Sequence, residues 1–139
     1  MDATNVEQSA ACYLARIPDD ENAMFALAEA PASILPLLVS AFRSDPDAVK
    51  RSAILNVIWQ RRDRATIPVL GEGLQDVSPR VWKEALDGLV TIGGPESIGV
   101  IEAARGRNFA SERERIRYRE FLDEALDQLR FGYFDGKGS

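Results

Sequence analysis

One line of sequence occurs nearly twice in this chain. Residues 81–89 read VWKEALDGL, residues 121–129 read FLDEALDQL, and residues 49–57, VKRSAILNV, form a fainter third copy. Repetition at a period of roughly 30 to 40 residues is typical of stacked helical hairpins, because a single hairpin leaves one apolar face uncovered. The repeat therefore predicts an all-α stack.

The units that carry these copies align at a nearly constant offset. Ile67 lies 32 residues after Leu35, and each of the first two units places an aspartate-containing turn between its two helices. The third unit begins in step, but Phe121 lies 40 residues after Val81. The difference of about eight residues predicts a longer loop and an N-terminal extension of the last helix within residues 105–119.

The rest of the chain completes a single predicted domain. Residues 1–31 show helical periodicity interrupted by proline and are predicted to form an N-terminal helical cap. Residues 32–130 hold the repeats, and the glycine-rich residues 131–139 are expected to form a flexible tail. The predicted fold is a short right-handed α-solenoid of about three hairpins plus the N-terminal helical pair.

The repeated units share further motifs. Residues 35–38 and 67–70 both open with an apolar residue, proline, any residue and leucine, and the second helices share a Val-x-x-x-Ala core. This pattern resembles the HEAT-repeat family, in its short bacterial form, over roughly residues 34–129. The third unit departs from the pattern, with Gly99 in place of the proline. The resemblance implies the fold but leaves the function open, since the family includes scaffolds, inhibitors, lyases and DNA glycosylases.

Composition excludes much catalytic chemistry. The 139 residues include no histidine, which removes Ser-His-Asp triads, Cys-His dyads and the common zinc sites. Cys12 is the single cysteine, so no intramolecular disulfide can form and a reducing cytoplasm is expected. No apolar run approaches the roughly 18 residues of a membrane span. We expect no catalytic residue, no metal and no cofactor.

Helical spacing predicts which residues face outward. With about 100° per residue, Val49 and Ala53 fall on the buried face of the first copy, while Leu55 and Trp59 fall opposite. Trp82 is predicted to be buried. An exposed Leu55–Trp59 pair would begin a concave acidic surface that consists of Glu84, Asp87, Asp123, Glu124 and Asp127. Two alternatives remain open: the N-terminal helices cover the pair, or the acidic surface is only a solvated helix face.

The inserted region is rich in arginine. A candidate anion-binding cluster is formed by Arg105, Arg107, Arg113, Arg115, Arg117 and Arg119. The favoured interpretation is a solvated helix, because Glu112, Glu114 and Glu120 can pair with these arginines at i,i+3 spacing. The net charge of −5 argues against nonspecific binding of nucleic acid.

These observations predict a non-catalytic protein-binding module. The first hypothesis is a dedicated inhibitor, such as the immunity protein of a bacterial toxin, which binds a basic toxin domain through its concave acidic face. The alternatives are a general adaptor or regulatory scaffold, a nucleic-acid or phosphate binder that uses residues 105–119, and a small lyase or other enzyme.

Overall fold

A computed structural model describes the backbone of residues 3–131 and the side chains of residues 6–131. Over this range the protein is helical and contains no strand, as predicted. Short 3₁₀ turns, Ala32–Ile34 and Arg64–Thr66, lead into the third and fifth helices. The helices are α1 (Ala3–Leu14), α2 (Glu21–Glu29), α3 (Leu35–Ser44), α4 (Ala48–Gln60), α5 (Ile67–Gly73), α6 (Pro79–Ile92), α7 (Gly94–Ala104) and α8 (Glu112–Phe131).

The helices form three consecutive hairpins after an N-terminal pair. The hairpins are α3–α4, α5–α6 and α7–α8, and α2 packs on α4 of the first of them. The second helices form one layer, in which α4 packs along α6 and α6 contacts α8, while α5 and α7 pack together in the other layer. The solenoid-like all-α fold predicted from the repeats is confirmed. Its right-handed sense stays a prediction.

Local sequence signals set the ends of the helices. The Asp47 side chain accepts a hydrogen bond from the Val49 N–H at 3.0 Å and caps α4. Pro79 occupies the first position of α6, where its missing N–H costs no hydrogen bond. Gly93 ends the same helix with a φ of 69°, a conformation that glycine adopts without steric strain. Asp47 and Pro79 thus mark the turn between the two helices of the first and second hairpins, and Gly93 marks the turn between the second hairpin and the third.

The third hairpin has the predicted insertion. A loop of residues 105–111 separates α7 from α8, and α8 extends over 20 residues. The N-terminal half of α8 therefore projects beyond the part that is equivalent to α6. Of the predicted tail, Phe131 is the last residue of α8, and residues 132–139 lie outside the described part of the chain.

Aromatic packing joins the second and third hairpins. Trp82 is buried, as predicted, and makes edge contacts with Tyr118 and Phe121 at ring-centroid distances of 4.8 and 5.5 Å. Edge-to-face geometry is favourable for aromatic rings and adds to the burial of their apolar area. These contacts fix α8 against α6.

One part of the predicted burial pattern of α4 is wrong. Val49, which was placed on the buried face, is 40% exposed, whereas Leu55 is completely buried. The reason is that α4 packs against α2, α3 and α6, so its central turns are enclosed on several sides and have no single inner face. Val49 lies in the first turn, beyond most of these neighbours.

Polar side chains connect one hairpin to the next. Arg43 forms an exposed ion pair with Glu72, and Arg51 forms a largely buried one with Asp76 at 2.9 Å. Arg61 donates to the carbonyl oxygens of Leu27, Ala28 and Ala30 at the end of α2. A guanidinium in this position satisfies carbonyl groups that a helix terminus leaves without partners. These contacts add directional links to the apolar core.

A single membrane-spanning helix and a metal-binding cluster are both absent from residues 3–131. No single helix there is long and apolar enough to cross a membrane; one bent pair, Glu21–Glu29 with Ala32–Ser44, has suitable length and composition but a bend of 108°. The described residues contain no group of three or more acidic or cysteine side chains arranged to hold a metal ion.

We predict that the close approach of α4 and α6 depends on Gly88. A Cβ at this position would lie 2.7 Å from Cβ and Cγ of Trp59, atoms too near the backbone to move aside easily. Gly88→Ala should therefore lower the free energy of unfolding by about 1–3 kcal/mol in urea denaturation. Gly99→Ala is the matched control, because nothing lies within 4 Å of its Cβ position, and it should be neutral or stabilising by up to about 1 kcal/mol. Equal stability of the two variants would contradict the prediction.

The Arg51–Asp76 ion pair should control stability at low pH. Burial raises the pKa of Asp76, but hydrogen bonds from Arg51 and the Ser78 N–H, with the charges of Arg51 and Arg107, lower it below its usual value overall. The pair's contribution is thus complete above the unfolded-state pKa of about 3.9 and is lost as pH falls through the lower folded-state pKa. Asp76→Asn should remove this acid dependence and cost about 1–3 kcal/mol at pH 7.

The exposed pair Arg43–Glu72 provides the control for this experiment. Its side chains are 59% and 42% exposed, against 14% and 11% for Arg51 and Asp76. Glu72→Gln should therefore cost less than about 1 kcal/mol at pH 7. Urea unfolding of both variants between pH 3 and 7 measures the difference, and equal losses at pH 7 would refute the assigned roles.

Candidate functional site

Two carboxylates stand together on α6, and α4 holds the first of them. Glu84 is half-buried, and its Oε2 accepts hydrogen bonds from the Trp59 Nε1–H at 2.7 Å and the Asn56 Nδ2–H at 2.9 Å. Gly88 allows this geometry because its missing side chain leaves space for the Trp59 ring. Both donors are neutral, so Glu84 is held in place while its negative charge is not neutralised.

Asp87 follows Glu84 by one helical turn and is exposed to solvent. Although the residue is exposed, neighbouring protein atoms displace part of the water around its carboxylate, which raises the pKa of Asp87, and the nearby Glu84 carboxylate raises it further. No ion pair of Asp87 or Glu84 occurs among the residues with described side chains. We call Glu84 and Asp87 the α6 carboxylate pair. Its two negative charges repel each other in a partly desolvated position.

The predicted Leu55–Trp59 anchor is wrong. Leu55 is completely buried, and one of its methyl groups lies 2.8 Å from the Cβ position of Gly73. Trp59 is half-buried against Gly88 and binds Glu84. The next hairpin contacts both residues, through Gly73 for Leu55 and through Gly88 and Glu84 for Trp59. The alternative that the acidic surface is only a solvated helix face stays a prediction.

The predicted acidic surface is divided on α8. Asp123 forms an ion pair with Arg105 at 2.7 Å, and Asp127 lines the same groove between α7 and α8, together with Arg130. Glu124 is exposed and lies about 100° around the helix from Asp123, away from that groove. Of the three predicted α8 residues, Glu124 and Asp127 have no ion pair among the described side chains, but Asp127 lies in a groove with Arg105 and Arg130 whereas Glu124 does not.

Most of the arginine cluster is engaged within the molecule. Arg107 donates to the Leu74 carbonyl oxygen at 2.9 Å, and Arg119 donates to the Arg105 carbonyl oxygen at 3.1 Å. Arg115 pairs with Glu112 at i,i+3 spacing, as predicted. The predicted pairs of Arg117 with Glu114 and Glu120 do not occur among the described contacts.

Two arginines are left outside these contacts. Arg113 and Arg117 are exposed and have no ion pair within the described part of the chain. Arg117 lies 6.0 Å from the centroid of the Phe121 ring. The six arginines thus form several separate contacts rather than one cationic site.

Two residues that matter for these surfaces escaped sequence reasoning. Asn56 orients Glu84, and the buried Tyr118 donates to the Leu74 carbonyl oxygen at 2.5 Å. A signal for the first was present, because Asn56 aligns with Gly88 in the next repeat, and a glycine within a helix indicates close approach of a neighbour. Tyr118 lies in the inserted region, which has no equivalent residues in the first two repeats, so alignment of the repeats could not predict its position.

We predict that Asp87 lowers the stability of the protein. Because the folded-state pKa is raised, ionisation of Asp87 costs stability as pH rises through that pKa. Asp87→Asn should therefore raise Tm at pH 7 by roughly 1–2 °C, and the gain should disappear as pH falls below the carboxyl pKa. Glu124→Gln, an exposed carboxylate on α8, should leave Tm unchanged. A lower Tm for Asp87→Asn at pH 7 would contradict the electrostatic assignment.

Comparison with known proteins bears on this arrangement. The family model for HEAT repeats matches residues 35–118, more than half of the chain, from the first residue of α3 to Tyr118 in α8. No curated protein and no solved structure matches. HEAT repeats generally mediate protein–protein interaction, and the family generally provides non-catalytic scaffolds. The chain belongs to the HEAT-repeat family.

Proposed function

We propose that this protein binds a basic partner protein on the α6 carboxylate pair. One observation supports the proposal. Glu72, Asp76 and Asp123 each form an ion pair with arginine, whereas Glu84 is bound by neutral donors and Asp87 has no cationic partner among the described residues. Other described carboxylates, such as Glu124, also lack an ion pair, but Glu84 and Asp87 stand one turn apart on one helix, where partial desolvation and the Glu84 charge raise the pKa of Asp87.

A cationic side chain from a partner would relieve this unbalanced charge. Lysine or arginine placed between Glu84 and Asp87 would reduce the repulsion that raises the Asp87 pKa. Trp59 and Asn56 already hold Glu84, so little side-chain freedom is lost there on binding. Glu124 on α8 and the net charge of −5 would add steering of a basic protein during association.

The more specific proposal is an inhibitor. An immunity protein that neutralises a bacterial toxin in the cytoplasm would block a basic toxin domain with such an acidic surface. The absence of histidine from the sequence fits a protein that acts by binding. Engagement of Arg105, Arg107, Arg115 and Arg119 within the molecule favours this proposal over nucleic-acid binding by the inserted region.

We expect a charge reversal on α6 to weaken partner binding. The partner would be captured with the tagged protein from its native cells, identified by mass spectrometry and purified. Asp87→Lys should weaken the affinity by about tenfold or more and make binding less dependent on salt, because an attraction becomes a repulsion. Glu96→Lys is the control, since Glu96 is exposed on α7, away from the pair. Equal loss in both variants would refute the proposed surface.

A growth assay separates the inhibitor from a general adaptor. If the partner is a toxin, its expression alone should arrest growth and co-expression of this protein should restore it. Asp87→Lys should restore growth less than the unchanged protein. A partner that is harmless alone would contradict the inhibitor while leaving the binding surface in place.

A further inference from the structure

A second surface lies at the start of α8, and the proposed function does not use it. A groove of about 280 Å³ opens between the turn before α6, the inserted loop and the first turns of α8. Its walls include Val77, Trp82, Arg107, Phe109, Glu114 and Arg117. The groove exists because the third hairpin has the insertion, since α8 would otherwise not reach over the N-terminus of α6.

The inserted loop is held in a defined position. The Leu74 carbonyl oxygen, at the end of α5, accepts hydrogen bonds from Arg107 at 2.9 Å and from the buried Tyr118 hydroxyl at 2.5 Å. The Arg107 guanidinium also lies over the rings of Phe109 and Tyr118, at 4.5 and 5.0 Å from their centroids. The wall formed by the loop is therefore ordered before any ligand arrives, which lowers the entropic cost of binding.

The groove offers apolar surface at its rim. Val77, at the tip of the turn, is 85% exposed and is the most exposed of the large apolar side chains described. The half-buried Phe109 and the buried Trp82 also line the groove. An apolar side chain of a ligand would contact all three residues and remove Val77 from water.

The groove also has a surplus of positive charge. Asp76 is close enough to Arg107 for their charges to interact, but Arg51 already neutralises Asp76 through an ion pair at 2.9 Å. Arg117 has no ion pair among the described side chains, and Glu114 is the single carboxylate in the lining. The groove therefore favours a negative group, although the protein as a whole is acidic.

We infer that this groove binds a short protein segment in which an acidic side chain stands next to an apolar one. The acidic group pairs with Arg117 and is further attracted by the charge of Arg107, which keeps its hydrogen bond to the Leu74 carbonyl oxygen, and the apolar group packs between Val77 and Phe109. A small pocket with two arginines, one glutamate and apolar walls matches a peptide better than a nucleic acid, which requires an extended cationic track along its phosphates.

Selection from a random heptapeptide library displayed on phage tests this inference. Peptides enriched on the purified protein should combine an aspartate or glutamate with an adjacent apolar residue. In fluorescence-polarisation titrations of one such synthetic peptide, Arg117→Glu and Val77→Ser should each weaken binding by at least about fivefold. Both side chains are exposed, so both variants should fold, and circular dichroism checks this.

Matched variants make the result decisive. Arg113→Glu alters an exposed arginine of the same helix outside the groove and should leave the affinity within about twofold. The double variant Glu84→Gln with Asp87→Asn should also leave it unchanged, which separates this site from the α6 carboxylate pair. Failure to enrich acidic-apolar peptides, or equal loss in Arg113→Glu and Arg117→Glu, would overturn the inference. The inference would also be overturned if a single-stranded oligonucleotide bound more tightly than the peptide and lost affinity equally in Arg113→Glu and Arg117→Glu.

Discussion

The close packing of α4 along α6 is the contact on which the rest of the structure depends. It requires glycine at position 88 of α6, because the Cβ position of Gly88 falls 2.7 Å from Trp59. Gly73 lets α5 approach the same two helices, because its Cβ position falls 2.8 Å from Leu55 of α4 and from Ala85 of α6. At this separation the side chains of both helices interdigitate at the density of a protein core. The same approach buries Leu55 and brings Trp59 within hydrogen-bonding distance of Glu84. Packing and the geometry of the candidate surface thus have one origin.

The ion pairs distinguish carboxylates that link neighbouring hairpins from carboxylates that remain able to bind a partner. Ion pairs such as Arg51–Asp76 link neighbouring hairpins and balance acidic residues that would otherwise be exposed along the stack. Glu84 and Asp87 are outside this scheme, because neither has an ion pair among the described side chains: Glu84 accepts hydrogen bonds from neutral donors, and desolvation and the Glu84 charge raise the pKa of Asp87. An uncompensated, partly desolvated pair costs stability, and such local costs are common at binding sites. The α6 carboxylate pair therefore differs from the other unpaired carboxylates in that its two members are adjacent and Glu84 is held in place by hydrogen bonds.

The insertion in the third hairpin has a different effect. It breaks the repeat, and its arginines bind backbone carbonyl groups and aromatic rings instead of forming a single cationic site. The inserted region also forms a groove that favours a negatively charged group, whereas the α6 carboxylate pair favours a positively charged one. Two surfaces of different character on one small stack are compatible with a protein that contacts a partner at more than one point.

The sequence alone determined the architecture. The repeated line and the positions of proline and aspartate predict the hairpins, because these depend on local periodicity and capping. The long loop and the extended α8 follow from the spacing of 40 residues between Val81 and Phe121, where the repeat leads one to expect about 32. Burial of Trp82 followed from the same register. The register also predicts Glu84, Asp87 and Glu124 as outward-facing acidic residues of the second helices, but not the hydrogen bonds from Asn56 and Trp59 that hold Glu84.

Only the tertiary structure decided which of these residues are available. A helical wheel assumes one buried face, whereas α4 is enclosed by α2, α3 and α6, so Leu55 proved buried and Val49 exposed. Ion pairs between distant residues, such as Arg105 with Asp123 across a loop, depend on how the hairpins meet and have no signature in local spacing. Sequence periodicity specifies each helix and its partners in order, but the distances between helices determine which charges are paired and which remain free to bind.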